Sequence, residues 1–505
     1  MVRSSVGERL AFGLGKTDSA AVSCFTLAGL LMAIAPPDPL SDASSEKPTR
    51  VRWLMFSLAC GTSWFLYLHR YTWSVIGTFL MEDYGLSKTE LGAIYSFFTP
   101  TYGIGQIPSG ILCDWVGPHL FLGVIIVLGS LVLPLFGVAG GRGGLIALRL
   151  AFGAAQAGTY PALAKVTATW FPVRSRTIVQ GWVATFFGRS GGAMSSIILA
   201  TVLIGYFGMS WQWALGVMGA AGVLFGIVFL LLFRNSPNDH PRVNAAERAL
   251  IAEGSPPPDP SAPPVLPLRA AIKNRSMLFF IIQQIASAGA DGVYVLFMGD
   301  YFLNTKGIDI TEAGLLISLP LWGGAIGGML GGFFNDLMIQ WTGSRRIGRS
   351  AVGFTGKFIA CILMFVAISQ DGAVEAAWAL FAVKFFTDWS QPTVWGTCTD
   401  IGGRYSATVF GVINTSGSIG GLVSPIAFGA ILDWNTSMVL VDGIEKSVAN
   451  YNPLFVTVAV MYVISAFCWI MIDCTDSLEA RLAPGGDLAG DHDDDKEMTG
   501  VDDSD

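Results

Sequence analysis

The chain has 505 residues, of which 52% are hydrophobic and only 13% charged, and its formal net charge is −7. Soluble domains carry about a quarter of their residues as Asp, Glu, Lys and Arg, so this composition, with a mean hydropathy of +0.55, excludes a soluble fold. At about 20 apolar residues per bilayer crossing, the length predicts about twelve transmembrane helices and excludes a single-anchor receptor. The apolar runs are continuous rather than alternating, which excludes an outer-membrane barrel.

Residues 1–51 read as an N-terminal extension with one short apolar run, Ala20 to Ala35, closed by Pro36-Pro37. That run is short for a crossing, and no role is assigned to it. From Trp53 the runs become regular, at 53–81, 90–112, 117–138, 144–168, 177–205 and 211–233. Residues 234–274 then turn polar, with Pro256-Pro257-Pro258, Pro260, Pro263-Pro264 and Pro267. This reads as an extended linker carrying a short amphipathic piece from Ala245 to Ile251. Six more runs follow, at 276–303, 311–335, 350–369, 373–398, 406–432 and 452–473. The predicted fold class is an all-α membrane protein of about twelve transmembrane helices in two six-helix halves, 52–233 and 275–475. Residues 476–505, with Asp491 and Asp493-Asp494-Asp495, have little to bury and are expected to form an acidic disordered tail. The seven cysteines form no C-x-x-C and sit mostly in apolar runs, which argues against a metal site or a disulfide framework.

Basic residues set the expected orientation. A cytoplasmic linker puts Lys47, Arg50, Arg52, Arg174, Arg176, Arg234, Arg242, Arg248, Arg269, Lys273, Arg275, Arg345, Arg346, Arg349 and Arg404 on one side, and leaves only Lys88, Arg142, Lys306 and Lys446 on the other. Both ends of the helical body are then cytoplasmic, in a multi-pass membrane protein that belongs in the inner membrane if the source is bacterial. A weak repeat relates the halves: Gly110-Ile-Leu-Cys-Asp114 closes the second run and Gly332-Phe-Phe-Asn-Asp336 closes the eighth. The glycines are expected to let helices approach, and Asp114 and Asp336 to act in gating at the cytoplasmic edge.

Charges inside apolar runs are costly, about 2.5–3.5 kcal/mol each at a helix centre on insertion scales, so they mark pairing or function. Arg70 lies within the first run and cannot shed its proton; its planar fork suits a carboxylate or phosphate. Tyr67, Arg70 and Ser74 recur at spacings of three and four and are expected to share a helix face. Arg149 opens the fourth run, with Gln156 two turns on and a small-residue surface of Gly153, Ala154, Ala157 and Gly158. Gln283, Gln284 and Asp291 lie in the seventh run, Lys384, Asp388, Gln391, Trp395 and Asp400 in the tenth, and Asn414 in the eleventh. Lys384 and Asp388, four apart, read first as a structural pair. Arg189 in the fifth run either pairs with one of these acids or faces the cytoplasmic vestibule. No H-E-x-x-H, G-x-S-x-G or phosphate-cradling loop is present, so an enzyme is not expected, and nothing calls for a cofactor or metal. The basic residues follow the loops rather than forming a patch, so nucleic-acid binding has no basis.

These features resemble the major facilitator superfamily, and within it the anion:cation symporter family of sugar-acid transporters and vesicular glutamate carriers, over about residues 52–475. The resemblance rests on Tyr67-Leu-His69-Arg70, on Gln106-Ile-Pro108-Ser-Gly110-Ile-Leu-Cys-Asp114-Trp-Val-Gly117, and on Arg149-Leu-Ala-Phe-Gly153-Ala-Ala-Gln156 with Tyr160-Pro161-Ala162. Arg234-Asn-Ser-Pro237-Asn-Asp-His240-Pro241 leading to Glu247, and Gly411-Val-Ile-Asn414 before Gly420 and Pro425, complete it. The resemblance implies a substrate carboxylate held by Arg70, with Tyr67, Tyr102, Arg149, Gln284 and Asn414 at matching binding positions. Two departures matter: His69 stands where the family has an acid before the arginine, and Gln156 stands for the membrane glutamate. Gln156 cannot titrate, so His69 and then Asp291 are the remaining proton-coupling candidates.

The expected function is alternating-access transport of a small organic anion, a sugar acid or other carboxylate, with a site near mid-membrane between the halves. The expected partners are that anion, membrane lipid and a co-transported proton or sodium ion, with facilitated diffusion or exchange slightly favoured over coupling. Alternatives are an organophosphate antiporter and a transporter-like sensor without net flux.

Overall fold

The computed structural model describes residues 47–253, 274–402, 406–441 and 444–478. The expectations for the apolar run at 20–35, the proline-rich part of the linker and the acidic end of the chain lie outside the described residues. The chain divides into two units, Met1–Pro48 and Thr49–Asp505, and the spans described below lie in the second.

Among the described residues, eight helices are long and apolar enough to cross a membrane: Pro108–Val138, Ile178–Tyr206, Trp211–Leu232, Arg275–Leu296, Ile310–Thr342, Arg345–Ile368, Thr408–Trp434 and Asn452–Met471. In chain order these are spans 3, 5, 6, 7, 8, 9, 11 and 12. Four further crossings complete the twelve, and they are the interrupted and polar ones. Span 1 is Val51–Arg70 followed by Trp73–Tyr84; span 2 is Lys88–Ser96 followed by the first part of Phe98–Leu135. Span 4 is Arg142–Gln156 followed by Thr159–Trp170, and span 10 is Ala373–Trp389 followed by Gln391–Gly402. Spans 1, 4 and 10 contain Arg70, Arg149, Lys384 and Asp388.

A break inside a bilayer exposes backbone carbonyls that side chains must satisfy. Thr72 Oγ1 donates to His69 O at 2.8 Å and Ser74 Oγ to Tyr71 O at 2.7 Å at the break in span 1. Thr387 Oγ1 donates to Lys384 O and Ser390 Oγ to Thr387 O, both at 3.0 Å, at the break in span 10. Span 5 is wound as a π-helix over Trp182–Phe187 and Ile197–Tyr206, with Arg189 on the α-helical piece between them. The helix that carries span 2 into span 3 is kinked at Gly117, whose φ of +80° only glycine adopts without strain and whose α-carbon abuts the Asn235 side chain.

Close helix contacts rest on other glycines than those of the repeat. Nothing lies near a side chain added at Gly110, and Gly332 meets only Pro392 at ordinary distance, which corrects the expectation that these two bring helices together. The approach is instead made by Gly323, Gly327 and Gly331 of span 8, which sit against the carbonyls of Phe381, Phe385 and Trp389 in span 10. Gly153 presses on the Phe98 carbonyl and Gly158 on Phe121.

One small element lies outside the helical body. Thr436–Val441 pairs antiparallel with Ile444–Ala449, forming a hairpin between spans 11 and 12. Its signal was the turn dipeptide Asp442-Gly443 between two short runs outside the apolar spans.

The two halves join on the side away from the linker. Lys88 Nζ lies 2.6 Å from Asp300 Oδ2, which also accepts from Tyr451 OH at 2.6 Å. Asp433 accepts from the backbone N–H groups of Lys88 and Thr89 at 3.0 and 2.8 Å, capping the start of span 2 from span 11. Ser96 Oγ donates to Leu422 O at 2.7 Å, Gly92 rests on the Pro425 carbonyl and Gly299 on that of Ser74. Toward the linker, the ion pairs Asp114–Lys165 at 2.7 Å and Arg349–Asp400 at 2.6 Å each stay within one half. There the helix Ala245–Ala252 places Glu247 against the start of span 1. Its carboxylate accepts from Val51 N at 3.2 Å, Arg52 N at 3.0 Å and Thr49 Oγ1.

Candidate functional site

Arg70 ends the first segment of span 1 and is half-buried, while its chain neighbours His69 and Tyr71 are buried. Its Nε and Nη2 donate to Gln156 Oε1 of span 4 at 3.3 and 3.1 Å. The guanidinium lies over three rings: Phe98 at 4.6 Å, Tyr102 at 4.7 Å and Tyr67 at 5.4 Å. Tyr160 closes this aromatic wall, with its hydroxyl 3.2 Å from Ser63 Oγ and its ring edge-on to Tyr67. Among the described residues, no carboxylate pairs with Arg70. An arginine held by a neutral amide and aromatic faces keeps its full charge and free donors for an anion.

Ser74 does not share this face. The break after Arg70 turns it into the next segment, where its Oγ meets Tyr71 O and, at 3.4 Å, Ser196 Oγ. The expected face of Tyr67, Arg70 and Ser74 is therefore cut to its first two members.

Arg149 is fully buried, 0% exposed. Its Nε and Nη2 both donate to the Tyr95 carbonyl, at 3.2 and 2.8 Å, and its Cζ lies 4.2 to 5.0 Å from the rings of Tyr95, Trp73 and Phe98. Phe98 is thus shared between the two arginines. The structure places Arg149 behind Arg70, committed to backbone and aromatic partners.

His69 faces the other way from Arg70, into the first half. Its Nε2 is 3.2 Å from Met218 O of span 6, its ring packs on Gly222, and it lines a small cavity with Thr62, Ser130, Gln156 and Thr159.

Across the halves, four charges meet. Arg189 of span 5 donates through Nη2 to Asp291 Oδ2 at 2.9 Å, sits with Nε 2.9 Å from Asp388 Oδ2, and donates through Nη1 to Tyr71 OH at 3.0 Å. Lys384 Nζ donates to Asp291 Oδ1 at 2.8 Å and Asp388 Oδ1 at 2.6 Å. The pair read first as structural, Lys384 and Asp388, is half of this larger cluster, and Arg189 does reach the acids. Lys357 of span 9 is a buried cation that the sequence reading passed over. Its Nζ donates to Ser287 Oγ at 2.7 Å and lies 5.7 Å from the Tyr462 ring. A lysine within the apolar stretch Arg345–Ile368 was the available signal. In the middle of the spans, among the described residues, Arg70, Arg149, Arg189, Lys357 and Lys384 thus face only Asp291 and Asp388, an excess of positive charge.

Gln284 is half-buried beside Gly417, and Asn414 Nδ2 reaches Gln106 Oε1 across the halves at 3.5 Å. Neither touches the Arg70 group. Asp114 is exposed and paired with Lys165 of span 4; Asp336 is exposed and accepts from Asn335 Nδ2 at 3.2 Å. No cluster of His, Cys, Asp and Glu suited to a metal occurs among the described residues.

The family model described as Major Facilitator Superfamily matches residues 52–425. The chain belongs to that superfamily. It is a multi-pass integral membrane protein with the twelve-helix fold of the family. It is 29% identical over 387 residues to the probable sulfoacetate transporter of Cupriavidus necator, covering 76% of this chain and 88% of the other. It is 28% identical over 419 residues to the probable galactarate/D-glucarate transporter of Bacillus subtilis, covering 78% and 89%. Among solved structures, a bacterial homolog of the human lysosomal transporter Spinster, inward-facing and unoccupied, superposes with a TM-score of 0.64 at 15% identity. That match covers 85% of this chain and 95% of the other. The nucleoside transporter NupG gives 0.58 at 14% identity, covering 84% and 99%.

Proposed function

We propose that this protein is a secondary transporter that moves a small organic anion by alternating access, with Arg70 as the principal ligand of the anionic group. The carrying observation is Arg70 itself: a half-buried guanidinium at a helix break, walled by Tyr67, Phe98 and Tyr102 and bonded to a neutral Gln156 rather than to an acid. A carboxylate or sulfonate supplies the missing counter-charge, and the relatives named as probable sulfoacetate and galactarate/D-glucarate transporters support that class. Tyr67 and Tyr102 contribute the wall and hydroxyl donors. Arg149 acts as a positioning residue, fixing Phe98 and Tyr95 and adding to the local positive field. Gln284 and Asn414 belong to the second half's share of the site, which meets the anion when the halves close around it.

The excess of basic residues on the linker side supports a cytoplasmic linker. Contacts between the halves on the opposite side then make the present conformation inward-facing, with Lys88–Asp300 and Asp433 in the outer closure. Asp114, held by Lys165, and Asp336 are placed to gate the cytoplasmic side. The two halves correspond to residues 52–233 and 275–475.

The test is purified protein in proteoliposomes, assayed for uptake of sulfoacetate, galactarate and galactonate beside a sugar phosphate, and for the rise in unfolding temperature that each ligand produces. Carboxylate or sulfonate uptake that is lost in Arg70→Lys supports the reading. Uptake confined to the sugar phosphate makes the protein an organophosphate carrier, and binding without uptake makes it a sensor.

A further inference from the structure

We propose that Asp291 and Asp388 form a proton-coupling site in which Arg189 and a proton alternate as partners of the same two carboxylates. The inference rests on the transport reading above and adds a driving ion to it.

Three of the four charges belong to the second half: Asp291 on span 7, and Lys384 and Asp388 on span 10. Arg189 comes from the first half and is the member that leaves when the halves part on the side away from the linker. In the present state the two acids are matched by two cations in direct contact. Withdrawing Arg189 leaves two carboxylates facing Lys384, both of them hydrogen-bonded to it through Oδ1. Asp291 Oδ2 and Asp388 Oδ1, to which Arg189 had donated through Nη2 at 2.9 and 3.3 Å, then lose that cation. One negative charge in a low-dielectric site is uncompensated, and a proton from water on the opened side corrects it by forming an O–H bond on Asp291.

Asp291 is the member built for this exchange. Its side chain is 26% exposed, against 4% for Asp388 and 0% for Lys384. The other groups facing it are Tyr71 of span 1, bonded to Arg189, Tyr294 and Tyr462 of spans 7 and 12, whose hydroxyls lie 3.5 Å apart, and Lys357 of span 9. Lys357 lies within electrostatic reach but donates to Ser287, so it biases the cluster without occupying either carboxylate. When the halves close again, Arg189 returns to the two carboxylates and the proton leaves Asp291 for water on the side then open. One proton crosses per cycle, in the same direction as the anion that crosses with it, and no bond other than O–H changes.

His69 has none of these properties. It is buried within the first half on a carbonyl of the same half, so relative motion of the halves leaves its partners unchanged.

The experiment uses the full chain in proteoliposomes with membrane potential clamped at zero, and sulfoacetate, galactarate and galactonate as probes. Two readouts are taken: exchange at equal pH, and accumulation under an imposed one-unit pH gradient. One proton per anion gives a limiting accumulation of about tenfold per pH unit in the wild type. Asp291→Asn is expected to exchange anion but to equilibrate without accumulation, while His69→Gln accumulates like the wild type. Accumulation that survives in Asp291→Asn overturns the proposal. A readout free of any variant is the alkalinisation of a weakly buffered medium during wild-type uptake, and its absence overturns the proposal as well. A wild type that exchanges anion but ignores the pH gradient sinks the coupling inference alone; a wild type that exchanges none of the probes sinks the transport reading with it.

Discussion

Gln156 Oε1 accepts from both Nε and Nη2 of Arg70, so one neutral amide engages two of the arginine's five donors and none of its charge. The same two donor atoms of Arg149 are spent on the Tyr95 carbonyl. Two arginines on either side of Phe98 therefore have different fates: Arg149 is locked by backbone, and Arg70 is held in place yet left available.

That relationship predicts the effect of Gln156→Glu. A carboxylate at this position forms a charge-assisted pair with Arg70 and competes with the substrate for it. Affinity for the transported anion should fall by about tenfold or more, equivalent to about 1.4 kcal/mol. Isothermal titration of wild type and variant measures this directly; unchanged affinity would remove Gln156 from the site.

Arg70→Lys tests the geometry rather than the charge. Lysine loses the planar fork that engages both oxygens of a carboxylate, a loss of about 2 kcal/mol or more in a desolvated site, or roughly thirtyfold in affinity. Uptake should disappear while elution from a sizing column and the far-ultraviolet spectrum stay as in wild type. Near-normal uptake would show that Arg70 does not hold the anion.

The spans were legible because apolar runs of about 20 residues have few other uses. Their breaks were not. Tyr67, Arg70 and Ser74 keep helical spacing straight through the interruption at Tyr71-Thr72, so only the hydroxyl bonds to His69 O and Tyr71 O reveal that the face ends. Arg70, Arg189, Asp291 and Lys384 announced themselves as charges in apolar surroundings, but which of them meet is decided by how spans 5, 7 and 10 pack, and spacing along one chain carries no such information. Lys357 escaped notice although it is buried as deeply as Lys384, and the hairpin at Thr436–Ala449 was hidden by its position between two strong helical signals.

The closure away from the linker depends on glycines that lie directly on backbone. A β-carbon at Gly299 would overlap the Ser74 carbonyl, and one at Gly92 would overlap that of Pro425, and neither carbonyl is free to rotate away. Gly299→Val should therefore hold the halves apart on that side. Single cysteines placed at Thr89 and Tyr301 in a chain freed of its reactive cysteines should react faster with a membrane-impermeant maleimide in the variant. Equal reaction rates would mean that the closed contact is not the one seen here.

Glu247 caps the start of span 1 from a helix that follows span 6. Its carboxylate takes the N–H groups of Val51 and Arg52 and the hydroxyl of Thr49, where an anion is favoured by the helix dipole. Glu247→Gln keeps one acceptor but loses the charge, and should cost about 1–2 kcal/mol of stability. Thermal unfolding in detergent reads the change as a lower midpoint, with transport activity at low temperature retained; a midpoint equal to that of wild type would rule out the cap as a source of stability.

His240, on the same surface, gives a pH dependence whose sign is fixed. It lies after span 6, packs its ring edge-on to Trp170 at 6.1 Å, and accepts through Nδ1 from the Arg242 N–H at 3.2 Å. Burial, with the positive charges of Arg234 and Arg242, holds this imidazole below its ordinary value despite Glu247 pulling the other way. The folded protein therefore favours the neutral ring, and the unfolded chain binds the extra proton first as acid is added. The contribution is complete above about pH 6.5, the ordinary imidazole value. It is lost as the pH falls through that value toward the lowered one. His240→Gln keeps an acceptor and cannot titrate, so its unfolding midpoint should fall less than that of wild type between pH 7 and pH 5. Parallel midpoint-against-pH curves for the two proteins would show that His240 does not report acid at the linker side.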